Sequence, residues 1–374
     1  CKSTLFWNNG ESKNEMNKKI LFLINGLGLG NSTRCFAIIE RLKLLNAEIS
    51  VITSGNGKWF FSDKEEIENL LEIESFKYGE KNGKINTLNT FLSVSKIFRT
   101  FSDNSKLINN FIEKSKPDII VTDSVYFNYD KKKISVPLIS LNNADQVKHF
   151  FNKYKNKPKN IYPQYYGIEC LDYLYNLRFS DLILSPVITD YENLIDSKNL
   201  KIKRVGPIVR LNLENKEKGN SLRGAIMLSG SKFGMSLKIN DNNSDLILDV
   251  IGREKPPHNK ANKNLFFHGK MLNNHKILNQ VDFAVVNGGY SAVAELFFTE
   301  KPMVVVPVPN HAEQWTNAKQ ISDAGVGIIA NETNYFEQLT KLIKNYSYYK
   351  ENYKKFTTKI NGAAQAADII YNYK

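Results

Sequence analysis

The sequence predicts a two-domain α/β protein built on parallel sheets. Short apolar runs alternate with amphipathic stretches from residue 19 onward. The alternation stops in a polar, charged segment at 211–222 and then restarts. The length of 374 residues suits two domains of ordinary size.

In the first half the strand candidates are 19–25, 48–53, 71–76, 118–122, 137–141 and 181–185. Helices are expected over 32–45, 64–70 and 88–115, and 204–209 reads as a short strand entering a hinge. The second half offers strands at 224–228, 246–251, 265–267, 281–286 and 303–306, with a loop at 255–263. The expected division is an extension or disordered segment at 1–15, a first domain at 16–210, a linker at 211–222, a second domain at 223–350 and an Ala-rich helix within 351–374. Met16 is a candidate natural start. The basic residues after it and the apolar run to Ile24 superficially resemble a signal peptide. That run is short and breaks into glycines without a cleavage site, so it reads as the first buried strand.

Hydrophobic residues at 42% are ample for packed cores. The net charge of +13 comes mostly from Lys, which is abundant throughout, as in products of AT-rich genomes. It permits attraction to an anionic membrane surface or an acidic acceptor. Few arginines and no recognition motif argue against nucleic acid. The three cysteines (Cys1, Cys35, Cys170) form neither a ligand spacing nor a disulfide framework, which fits a cytoplasmic protein. No apolar run reaches the length of a membrane span.

The most informative stretch runs from Asn287 to Ala318. A buried strand stops at Gly288-Gly289 and a helix is expected to start at Ser291. Paired glycines let backbone approach a ligand closely, and exposed amides at a helix N-terminus favour an anion such as phosphate. Glu295 lies one turn beyond Ser291 on the same face, where a carboxylate can accept both hydroxyls of a ribose. After Pro307 and Pro309, Glu313-Gln314 opens another helix with polar groups toward the same crevice, and Asn317 follows.

The first strand ends in Gly26-Leu27-Gly28-Leu29-Gly30-Asn31-Ser32-Thr33-Arg34, a glycine loop opening a helix, with Ser32 as candidate N-cap. A dinucleotide-binding fold is the rival here, but residues 51–54 offer no acidic residue for a ribose. Asp123 follows the apolar strand at 119–121 and should sit at the carboxyl edge of the sheet, either as a general base or as a turn cap. Asn142, Asn143 and Asp145 follow the next strand as binding groups or turn residues. Residues 241–245 lack the Gly and Glu of a calcium loop. His258, His268 and His275 lack ligand spacing, so no structural metal is expected. The segment 146–178 mixes Lys with Tyr and Phe, suiting a membrane interface, a glycan acceptor, or simply a solvated loop and helix.

Taken together, residues 287–327 resemble the donor-binding signature of GT-B glycosyltransferases, within the family 28 group that includes the lipid II-forming GlcNAc transferase. The resemblance implies a GT-B fold: two Rossmann-like domains with parallel sheets facing across a cleft, and a last helix crossing back to the first domain. It implies transfer of a sugar from a UDP-sugar such as UDP-GlcNAc to a hydroxyl of a glycan or lipid-linked acceptor, with inversion and no bound metal or other cofactor. Such a protein would work in the cytoplasm, with a peripheral site at the inner face of the membrane as one option. On the donor side, Gly288, Gly289 and Ser291 would meet the pyrophosphate, Glu295 the ribose, and Gln314 with Asn317 the sugar side. Ser229, Gly230 and Ser231 would contact the diphosphate near the hinge, and Gly269, Lys270 and Met271 the uracil base. On the acceptor side the resemblance covers Gly28, Gly30, Ser32 and Arg34, with Asn142 and Asn143 beside them. Many relatives carry His where this chain has Asn31, and His, Ser or Thr where it has Asn287. An amide orients hydrogen bonds but cannot remove a proton near neutral pH. Asp123 is therefore the expected replacement base. A UDP-sugar hydrolase and a nucleotide-sugar-binding protein that lost turnover are the alternatives; a sugar-nucleotide epimerase shares the broad fold, but the donor signature suits transferases better.

Overall fold

Two parallel sheets form, one from each half of the chain. The architecture is that of a computed structural model, which describes residues 17–75, 80–81, 84–85, 94–130, 133–189, 201–210, 222–227, 246–254, 264–356 and 360–374. The first-half strands are Lys19–Ile24 (β1), Glu48–Ser54 (β2), Asn69–Ile73 (β3), a small antiparallel hairpin of Glu80–Lys81 (β4) and Lys84–Ile85 (β5), Ile119–Asp123 (β6), Leu138–Leu141 (β7), Leu182–Pro186 (β8) and Ile202–Val205 (β9). All but the hairpin pair in parallel, in the seven-stranded order β3-β2-β1-β6-β7-β8-β9. Strands β6 and β7 are buried at every residue and β1 at all but its first, because helices cover both faces of such a sheet. Register pairs Ile24 with Asp123, so Asp123 ends its strand beside the glycine loop that follows β1.

The second sheet contains Arg223–Met227 (β10), Ile247–Ile251 (β11), Leu265–Phe267 (β12), Phe283–Val286 (β13), Met303–Val305 (β14) and Gly327–Ile329 (β15), in the six-stranded order β12-β11-β10-β13-β14-β15. The order reverses direction at β10, between β11 and β13. In open α/β sheets such a switch point opens a crevice at the carboxyl ends of the strands.

First-half helices are Leu29–Leu44 (α1), Asn56–Phe61 (α2), Val94–Ser115 (α3) and Ala144–Lys153 (α4). The segments Tyr162–Gln164, a π-turn at Tyr165–Glu169 and Cys170–Phe179 run on as one stretch, α5. The second half adds His275–Gln280 (α6), Tyr290–Phe298 (α7), Ala312–Asp323 (α8), Tyr335–Lys344 (α9), Tyr346–Glu351 (α10) and Gly362–Tyr371 (α11). The last helix packs on α1 and sends Ala363, Ala366, Ala367 and Ile370 into the first-half core. These positions follow helical spacing, and burying Ile370 contributes about 1.5–3 kcal/mol. Lys18 holds the chain end by donating to the Tyr371 and Tyr373 carbonyls at 2.6 and 2.9 Å. No described helix is long and apolar enough to cross a membrane.

Several local expectations change. The first helix starts at Leu29 with Gly28 at its N-cap, so Ser32 is not a cap but an interior residue. The expected helix at 64–70 is a turn leading into edge strand β3. The helix lies earlier, at α2, because Phe60 and Phe61 pack edge-on to Phe36 of α1. Residues 88–93 of the helix expected at 88–115 lie outside the described residues, as do 211–221 of the linker.

Candidate active site

The glycine turn after β13 meets the glycine loop after β1. Gly289 caps α7, whose first amides lack intrahelical acceptors. Ser291 Oγ donates to the Gly30 carbonyl at 2.9 Å, joining the two halves at this point. Gly288 is demanded by packing: a Cβ there would lie 2.3 Å from the Gln314 carbonyl oxygen. Asn317, buried on α8, donates to the Gly288 carbonyl at 2.9 Å and so braces the turn from behind. Gln314 Oε1 accepts from the Val308 amide at 3.0 Å, fixing the Pro-rich turn before α8. Gly289 is different, since a Cβ there meets nothing within 4 Å and would project into open space.

Glu295 is buried, and Arg210 at the end of the hinge segment grips both its oxygens, Nε to Oε1 at 2.6 Å and Nη2 to Oε2 at 2.8 Å. Asn274 also accepts from Arg210, at 2.7 Å. A carboxylate has roughly four acceptor positions, so two remain for other donors. Gly269 has a left-handed φ of +61° and exchanges backbone hydrogen bonds with the 252–253 turn. Lys270 crosses the cleft, donating to Asn56 Oδ1 at 2.6 Å with its ammonium 4.7 Å from the Trp59 ring centroid. Met271 packs on the second-half core. Ser229, Gly230 and Ser231 lie outside the described residues.

Asp123 is fully buried and its acceptor positions are filled. Arg34 Nε and Nη2 donate to its two oxygens at 2.6 and 2.5 Å, the Cys35 thiol donates at 3.3 Å and Ser124 Oγ at 3.4 Å. Burial disfavours the Arg34 charge, but Asp123 more than offsets it and holds the guanidinium above its ordinary pKa. Burial and then Asp123 push the Cys35 thiol up, which keeps it a donor. Arg34 also lies over the Tyr290 ring at 5.7 Å, so the anchored cation faces the start of α7. Asn31 sits in the first turn of α1, half-buried at the loop.

Beyond β7, Asn142 donates to Asp172 at 2.6 Å and accepts from the Ala144 amide at 2.7 Å. Tyr126 donates to the same carboxylate. Burial raises the Asp172 pKa, while the hydrogen bonds from Asn142, Tyr126 and Asn176 oppose the rise. Asn143 reaches across to Glu313 Oε1 at 3.3 Å. Asp145 is buried, accepts from Ser185 and lies 3.4 Å from Arg204. The aromatic residues of 146–178 are largely internal. Phe151 stacks on Tyr165, and both join Ala312 in a cluster that packs against Trp315 of α8. The exposed remainder is Tyr166, Leu171 and Leu174 on the outer side of α5, with Lys155 and Lys159 exposed in the preceding loop.

One group escaped the linear reading. Glu169 of α5 lies with His311 and Glu313 at the start of α8, one ligand atom of each within 4.8 Å of the others. Burial, then the neighbouring Glu313, pushes the Glu169 carboxyl up to about 8. Burial lowers His311. No spacing rule reveals these three, because opposite halves of the chain bring them together.

Comparison with known proteins divides at the same cleft. Residues 18–166 match the family model described as glycosyl transferase family 1, and residues 258–371 match the glycosyltransferase family 28 C-terminal domain. An uncharacterised glycosyltransferase of Methanosarcina mazei is 23% identical, covering 94% of this chain and 96% of its own. The UDP-N-acetylglucosamine--N-acetylmuramyl-(pentapeptide) pyrophosphoryl-undecaprenol N-acetylglucosamine transferase 2 of Bacillus cereus is 25% identical, covering 95% and 99%. Among solved structures, the kitacinnamycin glycotransferase superposes with a TM-score of 0.62 at 15% identity, covering 95% of this chain and 99% of that one. MurG of Acinetobacter baumannii gives 0.57 at 15% identity, with the same coverage. These structural likenesses show the fold, which is GT-B. With both halves matching glycosyltransferase models and full-length relatives of the same kind, the chain is a glycosyltransferase of GT-B fold and family 28 type.

Proposed function

We propose that this glycosyltransferase uses a UDP-sugar as donor, with UDP-GlcNAc the first to test, and transfers the sugar with inversion to a hydroxyl of a glycan or lipid-linked acceptor. The observation that carries the reading is the contact of Ser291 with Gly30, which sets the α7 N-terminus against the first-half glycine loop. A diphosphate there would meet backbone amides and a helix dipole, both aimed at charge that grows as the leaving group departs. Arg34, held by Asp123 and facing Tyr290, adds a fixed positive charge on the same side. Glu295, oriented by Arg210, would take the ribose hydroxyls, and Gln314 the sugar hydroxyls. The Bacillus cereus relative's name supplies the UDP-GlcNAc suggestion. The exposed Tyr166, Leu171 and Leu174 beside lysines suit an acceptor presented at an anionic membrane surface.

Asp123 fits the anchor of Arg34 better than the general base, because its acceptor positions are filled. Asn31 cannot take the proton either. This favours a second reading, a donor-binding protein with little turnover. Thermal shift against a panel of UDP-, dTDP- and GDP-sugars tests the donor. Selective stabilisation by UDP-sugars, reduced in Glu295→Gln, is expected; no stabilisation by any of them would sink the donor reading. UDP release with and without candidate acceptors then separates the options: acceptor-dependent release marks a transferase, free sugar without acceptor a hydrolase, and binding without release the second reading.

A further inference from the structure

Glu169 belongs to the first half, and His311 and Glu313 to the second, yet their ligand atoms converge within 4.8 Å. Glu169 is buried and the other two are half-buried. Three observations distinguish the group from a solvated acidic patch. His311 Nδ1 is buried with no hydrogen-bond partner, whereas interior polar atoms are as a rule satisfied. Neither glutamate forms an ion pair with a lysine or arginine among the described residues, and Arg34 acts on Glu313 only at longer range. Gln164 orients the group from outside: its Nε2 donates to Glu169 Oε1 at 2.6 Å, and its Oε1 accepts from the Ala312 amide at 2.8 Å. Supporting hydrogen bonds of this kind are what fix metal-binding side chains.

The dimensions fit a cation. Three ligand atoms at about 2.0–2.2 Å from one metal in a tetrahedral arrangement lie about 3.3–3.6 Å from one another. Atoms already within 4.8 Å of one another need close by no more than about 1.5 Å, within the reach of side-chain rotation. One imidazole with two carboxylates is a mixed nitrogen and oxygen set, which suits Mn2+ or Zn2+ rather than the all-oxygen shells of Mg2+ and Ca2+. We infer that Glu169, His311 and Glu313 form a site for a divalent transition cation, Mn2+ or Zn2+, that ties the two halves of the molecule across the cleft. Three protein ligands leave further positions for water or for an oxygen of a bound molecule. The cation would offset two facing carboxylates that otherwise repel.

The test uses the full chain stripped with EDTA, dialysed, and given metal alone without any nucleotide sugar, so its outcome is independent of the donor reading. MnCl2 titration followed by electron paramagnetic resonance, and ZnCl2 titration by calorimetry, should each show one bound ion per chain and a higher melting temperature. Glu169→Gln and His311→Asn, each confirmed folded by circular dichroism, should weaken binding by at least about tenfold, the loss that removal of even a supporting partner produces. If either variant fails to fold, Glu313→Gln reads the same site from its accessible side. No binding by the wild type, or equal binding by wild type and folded variants, would overturn the inference.

Discussion

Gly289→Ala isolates ligand approach from folding. Gly289 has φ −64° and ψ 138°, a backbone conformation open to alanine, and a Cβ there meets nothing within 4 Å. Where the native conformation suits the new residue, Gly→Ala stabilises by about 0.4–1 kcal/mol through the unfolded state. The variant should therefore melt at or slightly above the wild-type temperature. Its neighbour is the control. In Gly288→Ala the Cβ would sit 2.3 Å from the Gln314 carbonyl oxygen and 2.9 Å from its carbon, both backbone atoms that cannot swing away. Overpacking of that kind costs about 1–3 kcal/mol. For donor binding the order reverses. The Gly289 methyl would stand over the first amides of α7 and keep a diphosphate from reaching them. Losing one charge-assisted hydrogen bond of about 1.5–3 kcal/mol lowers affinity roughly 10- to 150-fold. Calorimetric titration with the UDP-sugar that stabilises the wild type reads this directly. A Gly289→Ala protein that binds the donor within about twofold of wild type would refute the placement of the diphosphate at α7, since only a steric block was introduced.

Asp123→Ala should destabilise the fold by about 3–5 kcal/mol in urea unfolding, because it strands the buried Arg34 charge; full stability with turnover abolished would instead restore Asp123 as the base. Arg210→Ala, which leaves Glu295 without its guanidinium, should weaken donor binding as much as Glu295→Gln does; unchanged affinity would show that Glu295 needs no orienting partner. Glu169 gives the pH dependence: its carboxyl is raised from 4.5 to about 8, so the folded protein holds this proton more tightly than the unfolded chain. That contribution to stability is fully present below the unfolded value and is lost as pH rises through about 8. The metal-free protein should lose on the order of a few kcal/mol across that window. Melting in EDTA from pH 6 to 9 checks it, and Glu169→Gln should flatten the slope.

The sheets were legible because β1, β6, β7 and β13 are short runs dominated by apolar residues, and continuous burial on both faces leaves that trace. The stretch from Asn287 to Asn317 was legible for another reason. Its glycines and its helix start act through the backbone, so residue type and order carry most of the information. Carboxylates behave differently. Asp123 and Glu295 could be placed at the right edge and on the right helix, but nothing adjacent in sequence names Arg34 or Arg210 as their partners. Those pairings depend on how α1 crosses β6 and how the hinge meets α7. The same holds for Glu169, His311 and Glu313. The misplaced helix at 64–70 has a local cause: its charged residues mimic a helix, whereas Phe60 and Phe61 decide the matter by packing on Phe36. In the segment 146–178 composition does not tell inner rings from outer ones: Phe151 and Tyr165 stack on each other, whereas Tyr166 stays exposed.

The contacts across the cleft differ in kind from those that hold each half. Ser291 to Gly30, Lys270 to Asn56, Asn143 to Glu313 and Asn160 to Asn310 are single polar bonds, and at least one partner in each is exposed or half-buried. A neutral bond of this kind contributes about 0.5–1.5 kcal/mol, and those to Lys270 and Glu313 up to about 3 kcal/mol before solvent screening. The larger attachments lie to one side: α11 is embedded in the first-half core, and Ala312 and Trp315 pack on α4 and α5. Such an arrangement resists separation but yields to opening at the glycine rims. A donor that bridges the α7 amides and Arg34 adds charge-assisted bonds on that yielding side, and a cation at Glu169, His311 and Glu313 would add them nearer the packed side. The two ligands would then favour the same closed arrangement from different positions. By linkage each should raise the other's affinity by an equal factor. Donor affinity measured with and without Mn2+, and Mn2+ affinity with and without donor, must give matching ratios if closure is what they share.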